Sequence, residues 1–285
     1  MKSKIKITTI ISIVLTVSLL TAGRLSPIVI QKPEVSAVSA IVMDAASGKV
    51  LFSKNSAEIR EIASLTKVMT TILTLESGDL DKQFMVDNHA IHVEGTSMGL
   101  RENDIVTRRA LCYGMMLPSG NDAANAAAVS VAGNLCDFPE LMNQKAKQIG
   151  MKSSSFKNAH GLDESGHLST AYDMALLTSY ALNNCEFRQI AKSKTIRLQF
   201  GNPPYSRSLS NNNKMLWSYD SCIGIKTGFT DNARRCLISA AEKNGTTLVV
   251  VTLNAPDDWN DHIKMLEHGF AITEVLKKEY YSRSV

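Results

Sequence analysis

Two kinds of hydrophobic pattern divide the chain. Short alternating or continuously apolar runs lie toward both ends, and stripes of helical spacing fill the middle. Residues 38–44 (VSAIVMD) and 50–52 (VLF) flank a turn-like AASGK at 45–49, which predicts a β-hairpin. Residues 63–77 (ASLTKVMTTILTLES) carry an apolar stripe that stops at Gly78, a helix with its breaker. From about residue 80 to 190 helical spacing dominates, in 110–117 (ALCYGMML), 121–132 (NDAANAAAVSVA) and 170–181 (TAYDMALLTSYA). Residues 157–167 (KNAHGLDESGH) read as a loop between the last two of these. Beyond 193 the pattern changes to strands: 195–200 (TIRLQF), 221–226 (SCIGIK), 236–241 (CLISAA) and 246–253 (TTLVVVTL). Turns are expected at 227–232 and 242–245, and a last helix at about 258–277. Strands at both ends enclosing a helical middle imply an α/β chain of the α+β type. Its mainly antiparallel five-stranded sheet is drawn from both ends and flanked by helices, with an all-helical insert at about 80–190.

The first 34 residues follow other rules. Lys2, Lys4 and Lys6 precede an apolar run at 7–20, and small residues follow at 21–23. That is the layout of a signal peptide or an N-terminal membrane anchor, with a Pro-containing linker to residue 34. Residues 35–285 then form one exported catalytic domain at the outer face of the cytoplasmic membrane, tethered to it if the leader is uncleaved. Charge supports this division. The five basic residues of 1–34, set against Glu34, account for the whole net charge of +4, so 35–285 is neutral. No basic surface for nucleic acid is implied.

Five cysteines, an odd number without a Cys-x-x-Cys pair, read as small buried hydrophobes. His89 and His92 stand three apart but belong to no His-Glu-x-x-His, so neither a metal nor a cofactor is expected.

Candidate chemistry begins with Ser-x-x-Lys, which occurs at Ser3, Ser64 and Ser154. Only Ser64 opens an apolar helix, where Lys67 shares its face. Ser-x-Asn also occurs three times, at Ser53, Ser119 and Ser210, and Lys-Thr-Gly once, at Lys226. Ser64–Lys67, Ser119-Gly-Asn121 and Lys226-Thr227-Gly228 come in that order. They fall at a helix start, at a turn between helices and at the end of a strand. As isolated pieces they are a helix cap, a turn and a strand end; jointly they are the signature of active-site serine enzymes that react with penicillin.

With the hairpin, MLPSGNDAA (116–124), HGL (160–162), HLSTAYD (167–173), NNNKMLW (211–217) and GIKTGFT (224–230), the chain resembles the D-alanyl-D-alanine carboxypeptidases from about 36 to 270. These are low-molecular-mass penicillin-binding proteins of the β-lactamase/transpeptidase-like fold. The resemblance implies Ser64 as nucleophile, Lys67 as its base, and Ser119 with Lys226 as the proton relay. It implies Asn121, Lys226, Thr227, Gly228 and Phe229 as substrate-binding residues, with the N–H groups of Ser64 and Phe229 facing the oxyanion. The expected partners are peptidoglycan stem peptides and β-lactam antibiotics.

Two departures are visible. Residues 233–236 read Ala-Arg-Arg-Cys where family members usually carry Ala-Gly, and no basic residue further on is matched to the substrate carboxylate. Two alternatives compete with this reading. A serine β-lactamase needs a deacylating glutamate in Glu-x-x-Leu-Asn, which ESGHL at 164–168 is not. A silent peptidoglycan-binding module would not keep all six motif residues. About 250 residues make one catalytic domain, so water rather than a second peptide strand is the expected acyl acceptor.

Overall fold

The computed structural model describes residues 30–283; the expected leader at 7–23 lies outside them. The predicted hairpin is present as β1 (Ser39–Asp44) and β2 (Val50–Lys54). After it come a 3₁₀ turn (Ala63–Thr66) and helix α1 (Lys67–Glu76). Strands β7 (Cys222–Thr230), β8 (Arg234–Lys243) and β9 (Thr246–Leu253) complete an antiparallel sheet in the order β2-β1-β9-β8-β7. β1 pairs with β9 from Ser39–Leu253 to Asp44–Leu248, so the two ends of the domain share one sheet, as expected.

Both faces of this sheet are covered, which explains the near-continuous apolar runs of its central strands. Val42, Leu248 and Val250 point to α8 (Asp258–Arg283), where Met265, Leu266 and Phe270 receive them. Ile41, Met43, Val249 and Val251 point the other way, into the helical core around α1. No helix among the described residues is long and apolar enough to cross a membrane.

The insert contains α2 (Arg108–Met116), α3 (Asn121–Ala132), α4 (Phe138–Ile149), α5 (Ala171–Ala181) and α6 (Cys185–Ala191). It is mainly rather than wholly helical, because β3 (Gln83–Met85) and β4 (Ile105–Thr107) pair as a small ribbon. Threonines start two of the helices. Thr107 accepts from the Ala110 N–H (3.1 Å) and Thr170 from the Asp173 N–H (3.0 Å).

The strand expected at 195–200 is β5 (Thr195–Gly201), but it stays out of the main sheet. It pairs with β6 (Pro204–Ser210) as a separate ribbon, followed by the short α7 (Met215–Ser218). A second correction concerns the turn expected at 227–232. β7 continues to Thr230, so Lys226-Thr227-Gly228 lies inside a strand rather than at its end.

Candidate active site

The turn that carries Ser64 is the first piece of the site. Ser64 sits in the 3₁₀ turn, which Leu65 N–H closes on Ile62 O at 3.2 Å. Neither this turn nor α1 has a side-chain cap, so Ser64 is not there to cap a helix. Its hydroxyl instead meets Lys67 Nζ at 2.9 Å. The preceding residue, Ala63, has φ of +47°, a left-handed conformation that costs a non-glycine residue about 1 kcal/mol or more.

Lys67 is fully buried. Besides Ser64, its Nζ donates to Asn121 Oδ1 (2.7 Å) and to the His160 carbonyl (2.7 Å). Those two oxygens can only accept, whereas the Ser64 hydroxyl can accept or donate. A neutral Lys67 amine is therefore fully satisfied. Its two hydrogens go to Asn121 and His160, and its lone pair takes the Ser64 hydroxyl hydrogen. Burial and then the Lys226 cation hold Lys67 well below the usual lysine range, against an opposing pull from Asp122. Lys226 is itself buried and pushed down to about 7 by desolvation.

The loop between α2 and α3 brings Ser119 and Asn121. Ser119 adopts φ of +69°. Thr96 Oγ1 donates to its carbonyl (2.6 Å), Asn121 N–H donates to Thr96 O (2.7 Å), and Asn121 Nδ2 donates to Glu94 O (2.7 Å). Beneath this loop the buried Asp122 carboxylate accepts from the N–H groups of Met98 (2.9 Å), Gly99 (3.1 Å) and Leu100 (3.0 Å). From the other side Asn212 N–H donates to Leu117 O at 3.1 Å.

The sheet supplies the opposite wall. β7 is an edge strand. An ideal Cβ on Gly228 would stand 3.2 Å from Ser64 N and from Ile62 O, so the strand lies against the Ser64 turn because residue 228 has no side chain. Lys226 points inward and donates to the Thr227 carbonyl (2.8 Å), while Phe229 is exposed.

Ser64, Ser119, Asn121, Thr227, Gly228 and Phe229 line one cavity of about 400 Å³, with Lys67 and Lys226 buried behind it. Each predicted residue is therefore in or directly behind the same cleft. Sequence reasoning missed three others on its rim: Arg235, Asp258 and Trp259. Arg235 stands opposite Phe229 in the β7–β8 ladder, pairs with Asp258 (2.5 Å) and lies over the Trp259 ring (5.8 Å). The Ala-Arg-Arg-Cys departure was its signal, and Arg235 is the one cation among the lining residues.

Among the described residues no three His, Cys, Asp or Glu side chains are placed to hold a metal. All five cysteines are free thiols; Cys112 and Cys236 are buried as expected, but Cys136 and Cys185 are exposed.

The sequence profile of the D-alanyl-D-alanine carboxypeptidases, peptidase family S11, matches residues 27–257. The chain belongs to this family. It is 35% identical to D-alanyl-D-alanine carboxypeptidase DacF of Bacillus subtilis over 82% of its own length and 62% of that protein's. With DacC of Escherichia coli the identity is 34%, over 87% of this chain and 64% of the relative. The chain thus spans slightly under two thirds of these two relatives. The crystal structure of the Streptomyces K15 DD-transpeptidase superposes with a TM-score of 0.80 at 30% identity, over 85% of this chain and 99% of that one. The fold is accordingly that of the penicillin-binding peptidases of this family.

Proposed function

We propose that this chain is a serine D,D-carboxypeptidase that removes the terminal D-alanine from peptidoglycan stem pentapeptides. The observation that carries this reading is the buried Lys67 Nζ, 2.9 Å from Ser64 Oγ, with Asn121 Oδ1 and His160 O as its other partners, an arrangement that a neutral amine satisfies. Ser64 Oγ attacks the carbonyl carbon of the penultimate D-alanine and gives its proton to Lys67. The oxyanion accepts from the N–H groups of Ser64 and Phe229. Collapse breaks the C–N bond, and the leaving amine takes a proton through Ser119, beside the Lys226 cation. Water then hydrolyses the Ser64 ester, returning the serine and releasing the shortened peptide.

Substrate recognition follows from the rim. The peptide adds to the open edge of β7 beside Gly228. Asn121 has one amide hydrogen left for a substrate carbonyl. Thr227, Lys226 and Arg235 suit the terminal carboxylate, Arg235 being the permanent cation of the three.

Penicillin acylates the same serine. In the adjoining loop Glu164 accepts from Asn158 and Asp163 from Thr230, and neither is among the hydrogen-bond partners of Lys67 at Ser64. The penicilloyl-enzyme is then expected to persist for minutes or longer. Export of 35–285 by the leader, with or without retention at the membrane, fits a substrate outside the cell membrane. A reporter fused to the leader and active only in the cytoplasm would contradict it.

The decisive experiment is intact mass after mixing with a penicillin. The wild type should gain one adduct and Ser64→Ala none. Pentapeptide muropeptides should yield tetrapeptide and free D-alanine. Cross-linked dimers as the main product would turn the assignment to a transpeptidase.

A further inference from the structure

The loop at 157–167 is tied to the nucleophile segment by three side chains. Thr66 Oγ1 meets His167 Nε2 at 2.7 Å, Lys67 Nζ donates to His160 O at 2.7 Å, and Thr70 Oγ1 donates to Ala159 O at 2.6 Å. The first of these has a direction. His167 Nδ1 accepts from the backbone N–H groups of Lys157 (3.1 Å) and Asn158 (3.4 Å). Two donors at Nδ1 put the imidazole hydrogen on Nε2, so Nε2–H donates to Thr66 Oγ1. The Thr66 hydroxyl hydrogen then donates to the Ala63 carbonyl at 2.8 Å. A one-way relay thus runs from the loop backbone through His167 and Thr66 to Ala63 O.

Ala63 is the left-handed residue before the nucleophile. Its carbonyl and the Ser64 N–H are opposite ends of one planar peptide unit, so fixing the oxygen at one end aims the hydrogen at the other. The loop also closes on this carbonyl physically. An ideal Cβ on Gly161 would lie 2.0 Å from Ala63 O, so only glycine fits there. His167 is 3% exposed and packs edge-on against Phe156, with centroids 5.8 Å apart. Nothing in the acyl-transfer mechanism uses it directly.

We propose that His167 is a positioning residue for acyl transfer, which fixes the Ala63–Ser64 peptide plane through Thr66 and so aims the Ser64 N–H at the oxyanion. This rests on the serine-enzyme reading above. The relay needs the imidazole neutral, because a hydrogen on Nδ1 would face two N–H donors. Burial pushes His167 down to about 4. Glu164 and Asp163 oppose that shift, Lys157 reinforces it, and His160 is the other titratable neighbour.

The test uses the whole protein and a fluorescent penicillin, separating ground-state binding from the acylation step. His167→Phe keeps the bulk and Thr66→Val the shape, but each cuts the relay. A misaimed oxyanion donor should slow acylation about 10- to 100-fold with binding changed less than about threefold. His167→Gln carries an acceptor for the loop N–H groups and a donor for Thr66, so it should restore most of the rate. The double variant His167→Phe/Thr66→Val should be no slower than either single one, since both break one relay.

Wild-type acylation speed in folded His167→Phe would overturn the assignment, and so would additive losses in the double variant. Equal losses in the Gln and Phe variants would do the same. If His167→Phe does not fold, Thr66→Val against His167→Gln still decides. A wild type that takes no penicillin at all would instead overturn the serine-enzyme reading itself.

Discussion

The helical side and the sheet side of the cleft each bury a lysine, and the two are held differently. On the helical side Lys67 has three oxygen partners, from α1's own turn, from α3 and from the 157–167 loop. On the sheet side Lys226 has one, the neighbouring Thr227 carbonyl. The helical wall is a web of hydrogen bonds anchored on Asp122, whereas the sheet wall is a strand lying close because Gly228 has no side chain. Similar burial therefore serves different chemistry. On the proposed function, Lys67 is the lysine that loses and regains a proton at Ser64 Oγ, and Lys226 the one that supplies charge.

The sharpest way to break this comparison is to fix the charge at each site in turn. Lys67→Arg cannot deprotonate near neutral pH, so it should cut acylation by about 10³-fold or more. Lys226→Arg keeps the cation and should cost about 10- to 100-fold, mostly through misplaced hydrogen bonds. Equal losses in stopped-flow acylation would remove the distinction. In the wild type the acid limb of the acylation pH profile should lie well below the ordinary lysine pKa, with the rate rising as Lys67 loses its proton.

The helical wall should be the more costly to loosen. Asp122→Asn removes a buried carboxylate that serves three loop N–H groups, so it should cost about 3 kcal/mol in denaturant titration. Gly228→Ala is the matching change in the sheet. Its methyl must push the nucleophile turn by a few tenths of an ångström. Acylation should fall about tenfold with the unfolding midpoint nearly unchanged. A large stability loss there would show that the sheet wall is structural rather than steric.

One further effect is read as a slope. His167 and His262 are buried and pushed down to about 4 and about 3. The unfolded chain binds their protons near pH 6.5, and the fold does not. Their contribution is complete above pH 6.5 and is lost as pH falls toward the folded values. The loss should be about 1.4 kcal/mol per pH unit for each histidine inside that window. A flat stability profile between pH 6.5 and 4 would refute the neutral histidines and weaken the His167 relay.

What was legible in the sequence was the sheet and the meeting of the motifs in one cleft. Ser64, Lys67, Ser119 and Asn121 stand beside element boundaries that local pattern reveals, whereas Lys226 was read at a strand end and lies inside β7. The strands at both ends were found because their apolar runs are long. Helix α4 was missed because it buries only Phe138, Met142 and Ala146, a stripe too thin to stand out. Strand β5 was legible from its alternation, but its partner β6, which buries only Leu209, was not. The 157–167 loop was read as a plain connection, because its work is done by carbonyls and by one imidazole whose partners are set only in three dimensions.

The pairing of β1 with β9 has a consequence for how the enzyme comes into being. More than 200 residues separate the paired positions Ser39 and Leu253, so the sheet is among the last parts of the chain able to close. The nucleophile turn is synthesised early, but the edge strand it leans on and the second lysine come some 160 residues later. The insert can collapse around α1 while those strands are still missing, yet it has only one wall of the cleft. A chain caught partway through synthesis or export therefore carries Ser64 without the means to activate it. On the proposed function, reactivity toward penicillin would report that the β1–β9 seam has closed, and pulse-labelling with a fluorescent penicillin would time that event.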